Sequence, residues 1–155
     1  MPQDTTGITA RLDGDLKDAM RAGDKLRLGA IRRARAALKN AEIEARAPLG
    51  DDAAARVLRG LVKQHRESID QFRAGGRDDL VERESAEMAV LEPYLPAQMD
   101  AAGIEAVVAE TIAAEGATGP SDLGRVMKVV MSRVGSTADG KEVRTIAGRL
   151  LGGDR

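Results

Sequence analysis

Apolar residues recur along this chain at helical spacing. Ile8, Leu12, Leu16 and Met20 stand four apart, which predicts a first helix from Ile8 to about Ala22 with one apolar face. Gly23 stops it and Asp24 caps the next. That second helix, Lys25–Arg46, gathers Leu26, Ala30, Ile31, Ala34, Ala37, Leu38 and Ala41 on one broad arc. After the turn Pro48-Leu49-Gly50, a third helix begins at Asp51 or Asp52 and runs to about Ala74. Its apolar arc is Val57, Leu58, Leu61, Val62, Ile69 and Phe72. A fourth, Arg77–Leu91, sets Leu80, Met88 and Leu91 on one face. No run alternates as a half-buried strand would.

The pattern breaks at Ala86–Met99, AEMAVLEPYLPAQM. Pro93 and Pro96 lack the N–H that a helix interior needs, and each disfavours αR at the residue before it, Glu92 and Leu95. The fourth helix should therefore end or kink near Leu91–Tyr94. Three shorter helices should follow. Asp100 caps the first, to Glu115, with Ile104, Val107, Val108 and Ile112 inward. Ser121 caps Asp122–Val134, which buries Leu123, Val126, Met127, Val130 and Val134. Asp139 caps Gly140–Leu151, with Val143, Ile146, Leu150 and Leu151 apolar. The expected fold is all-α: a multihelical N-terminal subdomain over 1–92, a proline-containing joint over 93–99, a small three-helix bundle over 100–151, and a loose tail over 152–155.

Composition narrows the chemistry. The 155 residues are 32% charged with a net charge of −1, and there is no cysteine. Such a surface has no bulk attraction for polyanions, so nucleic-acid binding needs a local basic patch. Disulfides and thiolate chemistry are excluded. With one Tyr, one Phe and no Trp, the chain lacks stacking platforms for single-stranded bases. The stretch MPQDTTGI has neither the basic nor the apolar region of a signal peptide, and no apolar run is long enough to span a bilayer. A cytoplasmic location is expected, with no membrane partner.

Charge is nonetheless unevenly distributed. Lys25, Arg27, Arg32, Arg33, Arg35 and Lys39 follow one another with no acid between them. On a helical wheel Lys25, Arg32, Arg35 and Lys39 form a stripe. The third helix carries Arg56, Arg59, Lys63 and Arg66 opposite its apolar arc. A-form RNA is read largely through phosphate and 2′-OH contacts, which need rigidly held Lys and Arg and no aromatics. Surface cations more commonly solvate a helix or pair with nearby carboxylates, but an uninterrupted stripe stands apart. Catalysis finds less support. The one histidine, His65, falls on the apolar arc of the third helix, as a core-edge imidazole with a backbone or carboxylate partner. The acids of the fourth helix are expected on its solvent face. No HExxH, GxSxG or phosphate-cradling loop is present, so no catalytic residue, metal or cofactor is expected.

Several phrases, in order, resemble the GatB/YqeY family: MRAGDKLRLGAIR, NAEIEARAP, FRAGGRDDLVERESAEMAVLEPYLPAQM, SDLGRVMKVVMSRV and TADGKEV. The likeness runs from about Asp15 to Leu151. It implies an all-helical protein with a larger N-terminal subdomain and a right-handed three-helix subdomain. The same module forms the C-terminal helical region of the B subunit of the amidotransferase that converts glutamyl-tRNA to glutaminyl-tRNA, where its tail contacts tRNA. In some bacteria it is appended to glutaminyl-tRNA synthetase. The resemblance thus implies tRNA as partner, with that synthetase or amidotransferase subunits as associates, and no DNA. It implies no reaction by this module alone, because the kinase site and the amidase lie elsewhere in the complex. A carbon–nitrogen ligase label with glutamine as amido donor belongs to that complex. Arg125, Lys128, Arg133, Lys141 and Arg144 match basic positions of the family's tail, and Gly140 and Lys141 fall in its TADGK turn. His65 departs from the pattern, which usually has a basic residue there. The expected function is a non-catalytic tRNA-binding accessory module. The alternative is a helical protein-interaction module that uses its acidic helices and Met88, Met99, Met127 and Met131.

Overall fold

The computed structural model describes residues 7–152. They form seven α-helices and, among the described residues, no strand: α1 Ile8–Ala22, α2 Lys25–Ala45, α3 Asp51–Ala74, α4 Asp78–Leu91, α5 Ala101–Glu115, α6 Leu123–Val134 and α7 Gly140–Leu150. The fold is all-α, as the periodicity predicts. The chain divides into two compact units, one ending at Leu95 and the other starting at Pro96.

In the first unit α1 to α4 enclose Leu12, Ile31, Leu58 and Leu91, all fully buried. Each such side chain contributes about 1.5–3 kcal/mol by leaving water. Ala19, Ala34, Ala54 and Ala55 lie among them, and their small size lets the helices approach closely. Asp24 accepts the Arg27 N–H at 3.1 Å and so caps α2. Asp51 opens α3 and also accepts the Ile8 N–H at 3.1 Å. It thereby satisfies the start of α1, whose own N-cap is Gly7 and supplies no side chain. Two apolar-arc residues do not reach the core: Met20 is 56% exposed and Leu26 40%. Both sit in the helical turns next to the Gly23–Asp24 reversal, where the chain meets solvent.

The first proline behaves differently from expectation. Glu92 keeps αR geometry (φ −56°, ψ −39°), because Pro93 falls in the opening turn of a short 3₁₀ segment, Glu92–Tyr94, where its missing N–H costs nothing. Leu95 is extended (φ −87°, ψ 136°) ahead of Pro96. Tyr94 fastens this segment to α1. Its hydroxyl donates to the Asp15 carboxylate, Arg11 lies over its ring at 5.0 Å, and Arg11 Nη2 donates to the Pro93 carbonyl at 3.2 Å.

In the second unit α5, α6 and α7 enclose Ile104, Val108, Val126, Val130 and Val143. Asp100 caps α5 through the Gly103 N–H at 2.7 Å, and Asp139 caps α7 through the Lys141 N–H at 2.9 Å. Ser121 does not cap α6. A 3₁₀ turn, Pro120–Asp122, precedes that helix, and Asp122 takes the polar role. It accepts the Thr118 N–H at 2.9 Å and Arg125 Nη2 at 3.1 Å. The Thr118 bond, helped by Arg125, holds its carboxyl below the usual range.

Candidate nucleic-acid interface

The α2 stripe is uninterrupted in sequence but not in space. Acids from neighbouring helices reach into it. Arg35 Nε meets Asp13 of α1 at 2.7 Å, Arg27 meets Asp15 at 3.4 Å, and Arg33 meets Glu87 of α4 at 3.2 Å. Within α2, Lys39 lies 3.8 Å from Glu42. The expectation of an unneutralised stripe is corrected for Arg35, because cross-helix pairing is invisible to a count along one helix, and for Lys39, because its acid Glu42 lies three residues beyond the basic run. Lys25 and Arg32 are exposed and make no ion pair among the described residues. Arg32, Arg35 and Lys39 line a cleft of about 400 Å³ against α1, whose wall also carries Asp13 and Glu42. Lys25 faces the other flank, towards α4.

On α3 the candidates divide again. Arg59 is only partly exposed. Burial lowers its pKa while the Asp52 charge opposes that shift. Lys63 and Arg66 are exposed, with no ion pair among the described residues.

In the second unit Arg125 is held by Asp122 at 3.1 Å. Arg133 is held more fully, by Glu110 at 2.8 Å and by the Thr111 hydroxyl at 3.1 Å. It braces α6 against α5. Lys128, Lys141 and Arg144 are exposed and make no ion pair among the described residues. Gly140 begins α7, and a Cβ there would meet the Met131 methyl at 3.7 Å, an ordinary contact. Its place carries no steric demand for glycine.

His65 is the core-edge imidazole with a carboxylate partner that the sequence suggests, but the acids that cluster with it were missed. His65, 4% exposed, sets Nδ1 2.6 Å from Glu84 Oε2. Beside it Glu87 is buried, and both its oxygens are engaged, Oε2 by Arg33 at 3.2 Å and Oε1 by Arg83 at 3.3 Å. Glu84 and Glu87 were expected on the solvent face of α4. They turn inward because α3 and α2 supply partners, and a buried carboxylate is tolerated only when so paired. The ligating atoms of His65, Glu84 and Glu87 lie within 4.8 Å of one another. With Glu87 already carrying two guanidinium contacts, the cluster is closed by its own protein partners. The signal was there in the i,i+3 spacing of Glu84 and Glu87, which puts both on one side of α4.

Residues 9–151 match the family described as Yqey-like protein. The chain belongs to the YqeY-like family. Similar curated proteins are fungal and carry the name altered inheritance of mitochondria protein 41, mitochondrial. That of Eremothecium gossypii is 44% identical over 93 residues, covering 59% of this chain and 51% of its own length. That of Saccharomyces cerevisiae is 37% identical over 91 residues, covering 58% and 49%. That of Pyrenophora tritici-repentis is 38% identical over 87 residues, covering 56% and 48%. The chain thus spans about half the length of the relatives it matches. The expected cytoplasmic location is corrected by these relatives, which are named as mitochondrial proteins.

Proposed function

We propose that this chain is a tRNA-binding accessory module that acts without catalysing a reaction itself, by holding the RNA backbone on rigid helix surfaces. The observation that supports the reading is that each unit carries exposed cations with no ion pair among the described residues: Lys63 and Arg66 on α3 of the first unit, and Lys128, Lys141 and Arg144 on α6 and α7 of the second. Helical backbones hold such groups in fixed register, and phosphates need only charge and position from them. The paired arginines play a different part. Arg35 and Arg133 fasten helices to one another, Arg125 holds the turn that precedes its own helix, and the RNA meets what remains. Fluorescence anisotropy of labelled tRNA at a series of salt concentrations tests the reading. About five neutralised phosphates give a slope of log K against log salt near −4. A flat salt response would remove the reading. Incubation with glutamine, ATP and glutamyl-tRNA yields no glutaminyl-tRNA unless partner subunits are added.

A further inference from the structure

Between α2 and α4 lies a second cleft, of about 310 Å³, lined by Lys25, Leu26, Gly29, Arg33, Arg83 and Glu87. Its charge is lopsided: three cations against one acid, and that acid is buried with both oxygens occupied. Arg33 and Arg83 are thus anchored by Glu87 while most of each guanidinium fork stays unspent. Between the cations the lining is apolar. Leu26 is 40% exposed, and Gly29 leaves depth, since a Cβ placed there meets nothing within 4 Å. An apolar depression ringed by cations fits a ligand that is apolar at one point and acidic around it.

We propose that this cleft docks an acidic peptide segment, with one apolar side chain seated over Gly29 against Leu26 and flanking carboxylates on Arg33, Arg83 and Lys25. The volume stands at the small end of ligand pockets, about 300–1,000 Å³, which suits a single anchor side chain. An RNA backbone fits less well, because a phosphate offers nothing to Leu26. The proposal goes beyond tRNA binding and uses a different flank of α2 from the Arg32–Arg35–Lys39 cleft.

The test uses the full chain and a fluorescein-labelled helical peptide of roughly fifteen residues, glutamate-rich with one central leucine, a length that covers such a groove. The parent binds it saturably, with Kd on the order of 10–100 μM. Replacing the peptide leucine with serine weakens binding about tenfold. So does Gly29→Met, which fills the open depth of the cleft while favouring the helix, so the thermal midpoint does not fall. Gly29→Met leaves the salt-dependent tRNA affinity unchanged. The proposal is overturned if no saturable peptide binding occurs up to millimolar concentration, or if the serine peptide or Gly29→Met binds as tightly as its parent. It is also overturned if Gly29→Met abolishes RNA binding or self-association by sedimentation, since either result assigns the cleft to another occupant.

Discussion

His65 Nδ1 and Glu84 Oε2 lie 2.6 Å apart, joining α3 to α4 at a point where the imidazole side chain is 5% exposed. The neighbouring Glu87 joins α4 to α2 through Arg33. Three helices of the first unit are therefore bound by polar contacts as well as by the apolar core. Removing one partner of such a pair leaves the other desolvated and uncompensated, which costs more than the pair contributes net.

His65→Ala should accordingly lower stability by about 2–4 kcal/mol, from the cavity and from the stranded Glu84 carboxylate together. Urea denaturation of the full chain measures it. Glu84→Gln, which keeps the shape and a hydrogen-bonding oxygen, should cost less than half as much.

Tyr94 gives a pH signature. Burial, with the Asp15 hydrogen bond and charge adding to it, pushes its phenol up to about 12 from 10.0, and Arg27 pulls the other way. The folded chain therefore holds this proton more tightly than the unfolded one. The stabilisation from Tyr94 is complete below pH 10 and is lost as the pH rises from 10 to about 12. Because the chain has one Tyr and no Trp, tyrosinate absorbance reports this residue alone. It should titrate with a midpoint near 12 in the native chain and near 10 in denaturant.

Arg46 ends α2 with φ +54°, in the left-handed region. A side chain there costs about 1–2 kcal/mol, while glycine carries an unfolded-state entropy cost of about 0.4–1 kcal/mol. Arg46→Gly should therefore stabilise the chain by roughly 0.5 kcal/mol, read as a rise in the thermal midpoint.

The helices were legible in the sequence because their signals are local. Spacing placed Leu12, Leu58, Ile104 and Val130 inward, and Asp24, Asp100 and Asp139 announced three helix starts. What escaped depends on neighbours that sequence distance conceals. Asp13 reaches Arg35 across 22 positions and Glu87 reaches Arg33 across 54, so the basic stripe of α2 seemed more naked than it is. The same pairing hid the inward turn of Glu84 and Glu87. Ser121 looked like a cap by residue type, yet a 3₁₀ turn, Pro120–Asp122, precedes α6, and the Asp122 carboxylate turns back to the Thr118 N–H.

Ion pairing separates two kinds of basic residue, which should respond oppositely to mutation. Arg133→Ala should lower stability by about 1–2 kcal/mol through the lost Glu110 and Thr111 contacts, with little change in RNA affinity beyond that of any single charge. Chemical denaturation and RNA titration of the same variant distinguish the two effects.

The most direct measurement is anisotropy of labelled tRNA titrated with the parent chain and with Lys128→Glu/Lys141→Glu, at about 50 and 200 mM monovalent salt. Both side chains are exposed and make no ion pair among the described residues, so the reversal leaves the fold intact. If these cations hold the RNA, the parent binds in the micromolar range and weakens steeply with salt, and the reversal lowers affinity at least ~10-fold at the lower salt. Equal binding by parent and variant at both salt concentrations would contradict it.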